Sequence, residues 1–228
     1  MNLLCGSFAV VVALMYNDLT LAFWLIVAGI VFDFFDGFVA RLLHSSSAIG
    51  VQLDSLADVI TSGLAPAAVL WQVCLQTEPC WLPEGWKLGY GVFVLAAFSA
   101  LRLAKFNIDE TQTVEFCGLP TPAGSLLCAS RVTLRQQGML ALSSDGVLLV
   151  AVLTSLLLVS PIRMFALKFH GFGWRGNEVR YLFLLASIVL IIILRTYAIP
   201  VIIVLYIVVS AVRWLCMRSG NPDKAPKA

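Results

Sequence analysis

Residues 30–41 read Ile-Val-Phe-Asp-Phe-Phe-Asp-Gly-Phe-Val-Ala-Arg, and residues 50–58 read Gly-Val-Gln-Leu-Asp-Ser-Leu-Ala-Asp. Each stretch carries two aspartates in an apolar run, and the spacings of three and four place each pair on one face of a helix. An Asp at the centre of a membrane helix costs roughly 2.5–3.5 kcal/mol on insertion scales. Four such residues therefore need a compensating interaction.

The rest of the chain is apolar and poor in charge. Of its 228 residues, 60% are hydrophobic and 12% are charged, and the mean hydropathy is +0.93. A soluble domain carries about 25% charged residues. The composition therefore excludes a soluble globular protein, a disordered chain and a nucleic-acid binder with a basic stripe. The six cysteines form no CxxC pair or Cys/His cluster, so neither a zinc site nor a disulfide framework is predicted.

Apolar runs predict an all-α polytopic membrane protein, because a span needs about 20 predominantly apolar residues. Eight runs lie near 2–16, 19–41, 51–75, 88–106, 121–137, 145–160, 180–195 and 198–217. The first run and the fifth to seventh are short or interrupted, so six to eight spans are expected. We expect one integral membrane catalytic domain over 1–217 and a disordered cytoplasmic tail over 218–228.

Basic residues predict the orientation, since Lys and Arg are enriched in cytoplasmic loops. With eight spans and a cytoplasmic N-terminus, eleven of the fifteen basic residues lie on the cytoplasmic side. They are Arg41, Arg102, Lys105, Arg163, Lys168, Arg175, Arg180, Arg213, Arg218, Lys224 and Lys227. The same orientation places the four aspartates near the cytoplasmic face.

The four carboxylates are candidates for metal binding, because the short loop 42–49 lets the two helices bring them together. Two divalent cations would cancel their formal charge, and oxygen-only ligation favours Mg²⁺ or Mn²⁺ over zinc. A single intramembrane Asp also has a simpler interpretation as a hydrogen bond between helices. Gly37 and Ala40 lie on the same face, where they either leave room for a nucleotide or allow close helix packing.

The motif Asp-x2-Asp-Gly-x2-Ala-Arg-x8-Gly-x3-Asp-x3-Asp over residues 33–58 resembles the signature of the CDP-alcohol phosphotransferases. These membrane enzymes make phospholipids from a CDP-activated donor and an alcohol. Residues 99–107, Ser-Ala-Leu-Arg-Leu-Ala-Lys-Phe-Asn, and 116–122, Phe-Cys-Gly-Leu-Pro-Thr-Pro, resemble the bacterial and archaeal phosphatidylserine synthases of that family. With Asn-Leu-Leu-Cys-Gly at 2–6, the resemblance covers about residues 2–130, and the remainder matches only in hydropathy.

The resemblance implies the CDP-alcohol phosphotransferase fold and transfer of a phosphatidyl group from CDP-diacylglycerol to the hydroxyl of L-serine, which releases CMP. It implies two divalent ions, Mg²⁺ or Mn²⁺, held by Asp33, Asp36, Asp54 and Asp58, with Asp58 also the catalytic base. It places CDP-diacylglycerol at Gly37, Ala40, Arg41, Ser47 and Gly50. It places serine at Arg102, Lys105, Asn107 and Thr121. It further implies a homodimer in the inner membrane of a prokaryote, active at the cytoplasmic face.

Other interpretations of these residues stay open. Arg102 and Lys105 are also typical of basic residues that only orient a helix and contact headgroups. Ser47 is a possible helix N-cap, and Pro120 and Pro122 are suited to starting a helix. Family members usually carry Pro-Asn-x-x-Thr before the first helix, whereas Met1 directly precedes the Asn-Leu-Leu-Cys-Gly run. We therefore expect either a truncated chain or one without that nucleotide contact.

Two alternative functions are compatible with the sequence. A synthase of the same family with glycerol phosphate or inositol phosphate as acceptor would share the aspartate motif but would bind a phosphate instead of a carboxylate. A cation transporter would use the carboxylates as a transit site, since intramembrane acids often mark ion pathways. A transporter does not require Gly37, Ala40 and Arg41 in this register.

Overall fold

The computed structural model describes residues 1–43, 47–77, 88–108, 115–130, 132, 143–165 and 177–220. Helices dominate these residues, and each of the eight predicted apolar runs contains one. We label them α1 (Asn2–Val11), α2 (Leu19–Leu42), α3 (Ala48–Asp58), α4 (Ala65–Leu75), α5 (Val94–Ile108), α6 (Thr121–Ala129), α7 (Ser144–Leu158), α8 (Glu178–Leu194) and α9 (Ala198–Gly220). The all-α prediction is confirmed.

Several helices are long and apolar enough to cross a membrane. Among the described residues these are Leu19–Ala40, Ala48–Leu75, Gly89–Ile108 and Ala198–Cys216. Two shorter apolar helices, Asn2–Tyr16 and Ser144–Leu158, accompany them. In the first of these helices, a π-helical turn at Val12–Tyr16 continues α1 and extends it.

Two predicted boundaries can be compared with the structure. The last helix continues to Gly220, three residues past the predicted end of the membrane domain at 217, and residues 221–228 lie outside the described part. The fifth apolar run is predicted over 121–137; α6 ends at Ala129, Val132 is again helical, and residues 131 and 133–137 lie outside the described part. Hydropathy marks where a helix is buried in lipid, whereas the terminal turn depends on local backbone hydrogen bonds.

The helix Ala48–Leu75 lies at the centre of the bundle. Its most apolar window is 61% buried, against 22–28% for the other three long helices. It consists of α3, a π-helical turn at Val59–Leu64 and α4. Such turns insert an extra residue into an α-helix and occur frequently at functional sites. The turn follows Asp58 directly, so it sets how the helix faces its neighbours beside the acidic motif.

Glycines let the neighbouring helices approach this π-helical turn. A Cβ atom at Gly6 of α1 would lie 2.7 Å from the Cα of Thr61, and one at Gly29 of α2 would lie 2.6 Å from its Cγ2. A Cβ atom at Gly63 would lie 3.0 Å from the Cβ of Ser99 on α5. The packing therefore brings α1, α2 and α5 against one turn of the central helix.

A small sheet and an aromatic cluster close one end of the bundle. Strands β1 (Glu115–Cys117) and β2 (Arg163–Phe165) pair antiparallel, with Phe116 opposite Met164. Between β1 and α6, Gly118 adopts a left-handed φ of 78°, where a Cβ atom would collide with the Leu158 carbonyl. The ring of Phe165 packs against Phe183 of α8 and Tyr206 of α9.

Candidate functional site

Three of the four motif aspartates meet where the end of α2 adjoins the start of α3. Asp33, Asp36 and Asp54 each place one carboxylate oxygen within 4.8 Å of the others. Asp36 and Asp54 are exposed, while Asp33 is partly buried. The local reason is the short connection between two antiparallel helices, which brings the end of one acidic face opposite the start of the next. This arrangement matches the convergence expected from the spacing.

Asp58 joins the same site through Asn2 of α1. The side-chain nitrogen of Asn2 donates hydrogen bonds to Oδ1 of Asp33 at 2.9 Å and to Oδ1 of Asp58 at 3.0 Å. Asn2 is buried, with 3% of its surface exposed. Asn2 has no predicted role of its own, although it belongs to the Asn-Leu-Leu-Cys-Gly run at 2–6. The available signal was a polar residue at the very start of an apolar helix.

The three clustered carboxylates suit a divalent cation. All of the available donors are hard oxygen atoms, which Mg²⁺, Mn²⁺ and Ca²⁺ accept and which zinc sites rarely use alone. The oxygens are close enough together for one ion to contact all three. Without a cation, carboxylates at this separation repel one another. Asp33, Asp36 and Asp54 are therefore the residues best placed to hold a metal ion.

The small residues of the motif border an open space beside these carboxylates. A Cβ atom at Gly37 would meet no other described atom within 4 Å. Ala40 is partly exposed one helical turn further along α2. Arg41 belongs to the same helix, but its side chain lies outside the described part. Among the described residues, no neighbouring helix packs closely against the Cβ position of Gly37, which is compatible with space for a ligand there.

Ser47 is the N-cap of α3. Its hydroxyl oxygen accepts a hydrogen bond from the backbone N–H of Gly50 at 3.0 Å, in an extended conformation that precedes the helix. A Cβ atom at Gly50 would lie 3.0 Å from that oxygen, so the small residue favours the cap. The capping interpretation is confirmed, and the Ser47 side chain is exposed.

Arg102 of α5 is a buried cation near Asp58. Only 7% of its surface is exposed, and Nη1 donates to the hydroxyl of Thr121 at 3.5 Å. Its guanidinium carbon lies 5.7 Å from the centre of the Phe106 ring, and Asp58 is near enough to interact electrostatically. Nε of Arg102 has no hydrogen-bond partner among the described atoms. A buried guanidinium with an unused donor favours binding of an anion.

Lys105 and Asn107 lie further along α5, and both are exposed. The amide nitrogen of Asn107 donates to the Ser55 hydroxyl at 2.9 Å, so this residue connects α5 to α3 between two of the motif aspartates. Thr121, in contrast, is 1% exposed and meets Arg102 directly. The structure therefore brings Arg102 and Thr121 together and leaves Lys105 at the surface.

Tyr206 is a second residue without a predicted role that lies beside Arg102. The two side chains are near enough to interact electrostatically. The phenol donates a hydrogen bond to the backbone carbonyl of Phe165 at 2.9 Å. A Tyr in an apolar run carries little signal in a sequence, because its ring fits a helix core equally well. The last helix and β2 thus form one wall around Arg102.

Comparisons with known proteins agree on one family. A family model described as CDP-alcohol phosphatidyltransferase matches residues 1–159. Three similar proteins are named CDP-diacylglycerol–serine O-phosphatidyltransferase. The Bacillus subtilis protein is 34% identical over 75% of this chain and 88% of its own length. The Helicobacter pylori 26695 protein is 32% identical over 86% and 80%, and the Mycobacterium tuberculosis H37Rv protein is 34% identical over 89% and 73%. The similarity therefore extends beyond the predicted residues 2–130.

Proposed function

The chain belongs to the CDP-alcohol phosphatidyltransferase family, and on that premise we propose that it transfers the phosphatidyl group of CDP-diacylglycerol to L-serine. The products are phosphatidylserine and CMP. The choice of serine as the acceptor rests on the name that these relatives share, CDP-diacylglycerol–serine O-phosphatidyltransferase, which specifies serine. The buried Arg102 beside Asp58 supports it, because serine brings a carboxylate.

The donor lies along the acidic side of the site in this proposal. Asp33, Asp36, Asp54 and Asp58 together hold two divalent cations. These cations are either Mg²⁺ or Mn²⁺. When bound, these ions neutralise the pyrophosphate and stabilise CMP as the leaving group. The space beside Gly37 and Ala40 receives the nucleotide. Arg41, Ser47 and Gly50 lie on the two helix ends that flank this space and contact the donor.

The acceptor lies along the buried side. The Arg102 guanidinium pairs with the serine carboxylate through charge-assisted hydrogen bonds, and buried surroundings screen their attraction less than water does. Thr121 holds the guanidinium through its hydroxyl. Lys105 and Asn107 line the approach from the exposed end of α5. This arrangement points the serine hydroxyl toward Asp58 when its carboxylate is on Arg102.

The chemical step is a substitution at the phosphorus that bears the diacylglycerol. The serine hydroxyl oxygen forms a bond to this phosphorus while the bond from phosphorus to the bridging oxygen of CMP breaks. The bridging oxygen keeps the electron pair and leaves on CMP. Asp58 accepts the proton of the hydroxyl as the new bond forms. Arg102 keeps the serine in place throughout because its contact is with the carboxylate and not with the reacting oxygen.

We further propose that the protein is a single catalytic domain over 1–217 that works as a homodimer in the inner membrane of a prokaryote. The distribution of basic residues supports a site on the cytoplasmic face, since Asp33 and Asp36 share α2 with Arg41, and Arg102 shares α5 with Lys105. CMP and serine are soluble there, and the donor is in the lipid.

Release of CMP that depends on serine tests the proposal. Purified protein in mixed micelles would receive CDP-diacylglycerol and Mn²⁺ with serine, glycerol phosphate or inositol phosphate, each in turn. Of the three acceptors, we expect only serine to give CMP, together with phosphatidylserine. Product with glycerol phosphate or inositol phosphate and none with serine would identify a different acceptor. Flux of Mn²⁺ across proteoliposomes without any CMP would instead identify a transporter.

A further inference from the structure

We propose that Asn2 is a positioning residue that fixes the carboxylate of Asp58 relative to that of Asp33. The inference rests on the proposed function, in which Asp33 holds metal and Asp58 accepts a proton. A single amide nitrogen donates to both carboxylates, at 2.9 Å and 3.0 Å, from a third helix. Its two hydrogens supply one donor for each.

The double hydrogen bond gives the two carboxylates separate tasks. On each Asp, Oδ1 is occupied by the Asn2 amide, which leaves Oδ2 for other partners. Asp33 belongs to the cluster of carboxylates that suits a cation, together with Asp36 and Asp54. Asp58 is outside that cluster of three, and it interacts electrostatically with Asp54 and Asp33 on one side and with Arg102 on the other. Asn2 therefore holds the proposed base at the boundary between metal and acceptor.

Asn2 is itself held firmly from two sides. The hydroxyl of Thr61, in the π-helical turn that follows Asp58, donates to the backbone carbonyl of Asn2 at 3.1 Å. The absence of side chains at Gly6 and Gly29 lets Thr61 sit between α1 and α2. The backbone of Asn2 is thus fixed against the central helix, and among the described residues its side-chain amide bonds only to the two aspartates, since its Oδ1 accepts no hydrogen bond there. An anchor of this kind can set the orientation of the carboxylates.

Removing the amide donors should affect both metal binding and turnover. Partners that orient the ligands of a metal typically contribute roughly 10–100-fold to affinity or activity. Asn2→Leu keeps the number and branching of the side-chain heavy atoms and loses both donors. In Asn2→Asp the donors are also lost, but a further carboxylate is added to the site. The two variants therefore separate the loss of positioning from a change in the negative charge of the site.

The experiment uses the full chain in detergent with Asn2→Leu, Asn2→Asp and a control, Ser7→Ala. Ser7 lies on the same helix, is exposed, and donates only to the Leu3 carbonyl of its own turn. Mn²⁺ affinity is measured without substrates by electron paramagnetic resonance. Serine-dependent CMP release is measured at saturating Mn²⁺, which gives kcat and the KM for serine.

We expect Asn2→Leu to weaken Mn²⁺ binding and to lower kcat at saturating Mn²⁺, each by about tenfold or more, with the KM for serine changed by less than about twofold. We expect Asn2→Asp to bind Mn²⁺ at least as tightly as the parent and still to lose kcat, which shows a folded site with a misplaced base. Ser7→Ala should match the parent in all three quantities.

Two results would overturn the inference. One is a kcat in Asn2→Asp equal to that of the parent, and the other is unchanged Mn²⁺ affinity in Asn2→Leu. Failure of the proposed function looks different, because the parent itself would then release no CMP with serine. In that case the Mn²⁺ measurement still decides whether Asn2 orients Asp33.

Discussion

The acidic and the acceptor sides of the site are built in different ways. Asp33, Asp36 and Asp54 come from two consecutive helices and reach an open, partly exposed surface. Arg102 and Thr121 come from the successive helices α5 and α6, Tyr206 comes from the last helix, and all three are buried. The first side concentrates charge where a cation and a nucleotide can enter. The second keeps one cation out of contact with water. In these buried surroundings its attraction for an anion is screened least.

This difference predicts different kinetic defects. Changes on the acidic side should lower kcat for any acceptor, because they act on the phosphorus and its leaving group. Changes on the acceptor side should raise the KM for serine while Mn²⁺ binding stays as in the parent. A variant that breaks this division would show that the two sides are one functional unit.

The largest effect is expected for Asp58→Asn. The amide keeps the size of the side chain and an oxygen that can accept from Asn2, but it cannot take up the serine proton. A general base typically contributes about 10²–10⁴-fold to the rate, so kcat should fall by about that factor. The KM for serine should change little. Initial rates of CMP release over a range of serine concentrations measure both quantities.

Asp18→Asn is the matched control for this substitution. Asp18 lies at the opposite end of α2, where Oδ1 accepts from the backbone N–H of Leu21 at 2.9 Å. Asn is as good an N-cap as Asp, so stability and turnover should stay at the parent values. If Asp58→Asn kept the parent kcat, Asp58 would not be the base, and the proton would have to go elsewhere.

The next effect is expected for Arg102→Leu. Hydrogen bonds to charged groups contribute about 1.5–3 kcal/mol, so the KM for serine should rise roughly 10–150-fold. Arg102→Lys keeps the charge but loses the forked geometry, and we expect an intermediate KM. Mn²⁺ affinity should be unchanged in both variants. Kinetics with serine and paramagnetic resonance with Mn²⁺ give the two measurements.

Lys105→Leu provides the comparison on the same helix. Lys105 is exposed, and ion pairs at exposed positions contribute about 0–1 kcal/mol, so the KM should rise no more than about fivefold. If the KM for serine rose equally in Arg102→Leu and Lys105→Leu, the serine carboxylate would bind at the surface of α5. Such an equal rise would also leave the burial of Arg102 without a role in serine binding.

The convergence of the carboxylates was predictable from the sequence pattern itself, whereas Arg102 and Thr121 were named only through the family resemblance and Tyr206 was not named at all. Spacings of three and four on consecutive helices sufficed to bring carboxylates together, because a helical hairpin is a local structure. The hydrogen bonds of Asn2 and Tyr206 join elements far apart in the chain, which no local pattern encodes. The π-helical turn after Asp58 was also not predicted, since hydropathy does not distinguish such a turn from a continuous α-helix.

A smaller effect is expected for Tyr206→Phe, which tests whether the last helix supports the acceptor side. The change removes the donor to the Phe165 carbonyl. A hydrogen bond of this kind contributes about 0.5–1.5 kcal/mol, so the KM for serine should rise roughly two- to tenfold and the unfolding temperature should fall. Tyr90→Phe, at an exposed ring beside Trp71, serves as the control and should change neither value. A lowered unfolding temperature with an unchanged KM would make Tyr206 purely structural.

The smallest effect is expected for Ser47→Ala, and it separates capping from substrate contact. Ser47 and Ser143 are both N-caps that accept from the backbone N–H three residues later, but only Ser47 borders the acidic site. Each alanine variant should lose about 1 kcal/mol of stability. Only Ser47→Ala should also raise the KM for CDP-diacylglycerol, by about two- to fivefold, because a neutral hydrogen bond contributes about 1 kcal/mol. Equal KM values in the two variants would limit Ser47 to its cap and would remove it from the donor site, so the acidic side would then bind CDP-diacylglycerol without a hydroxyl from α3.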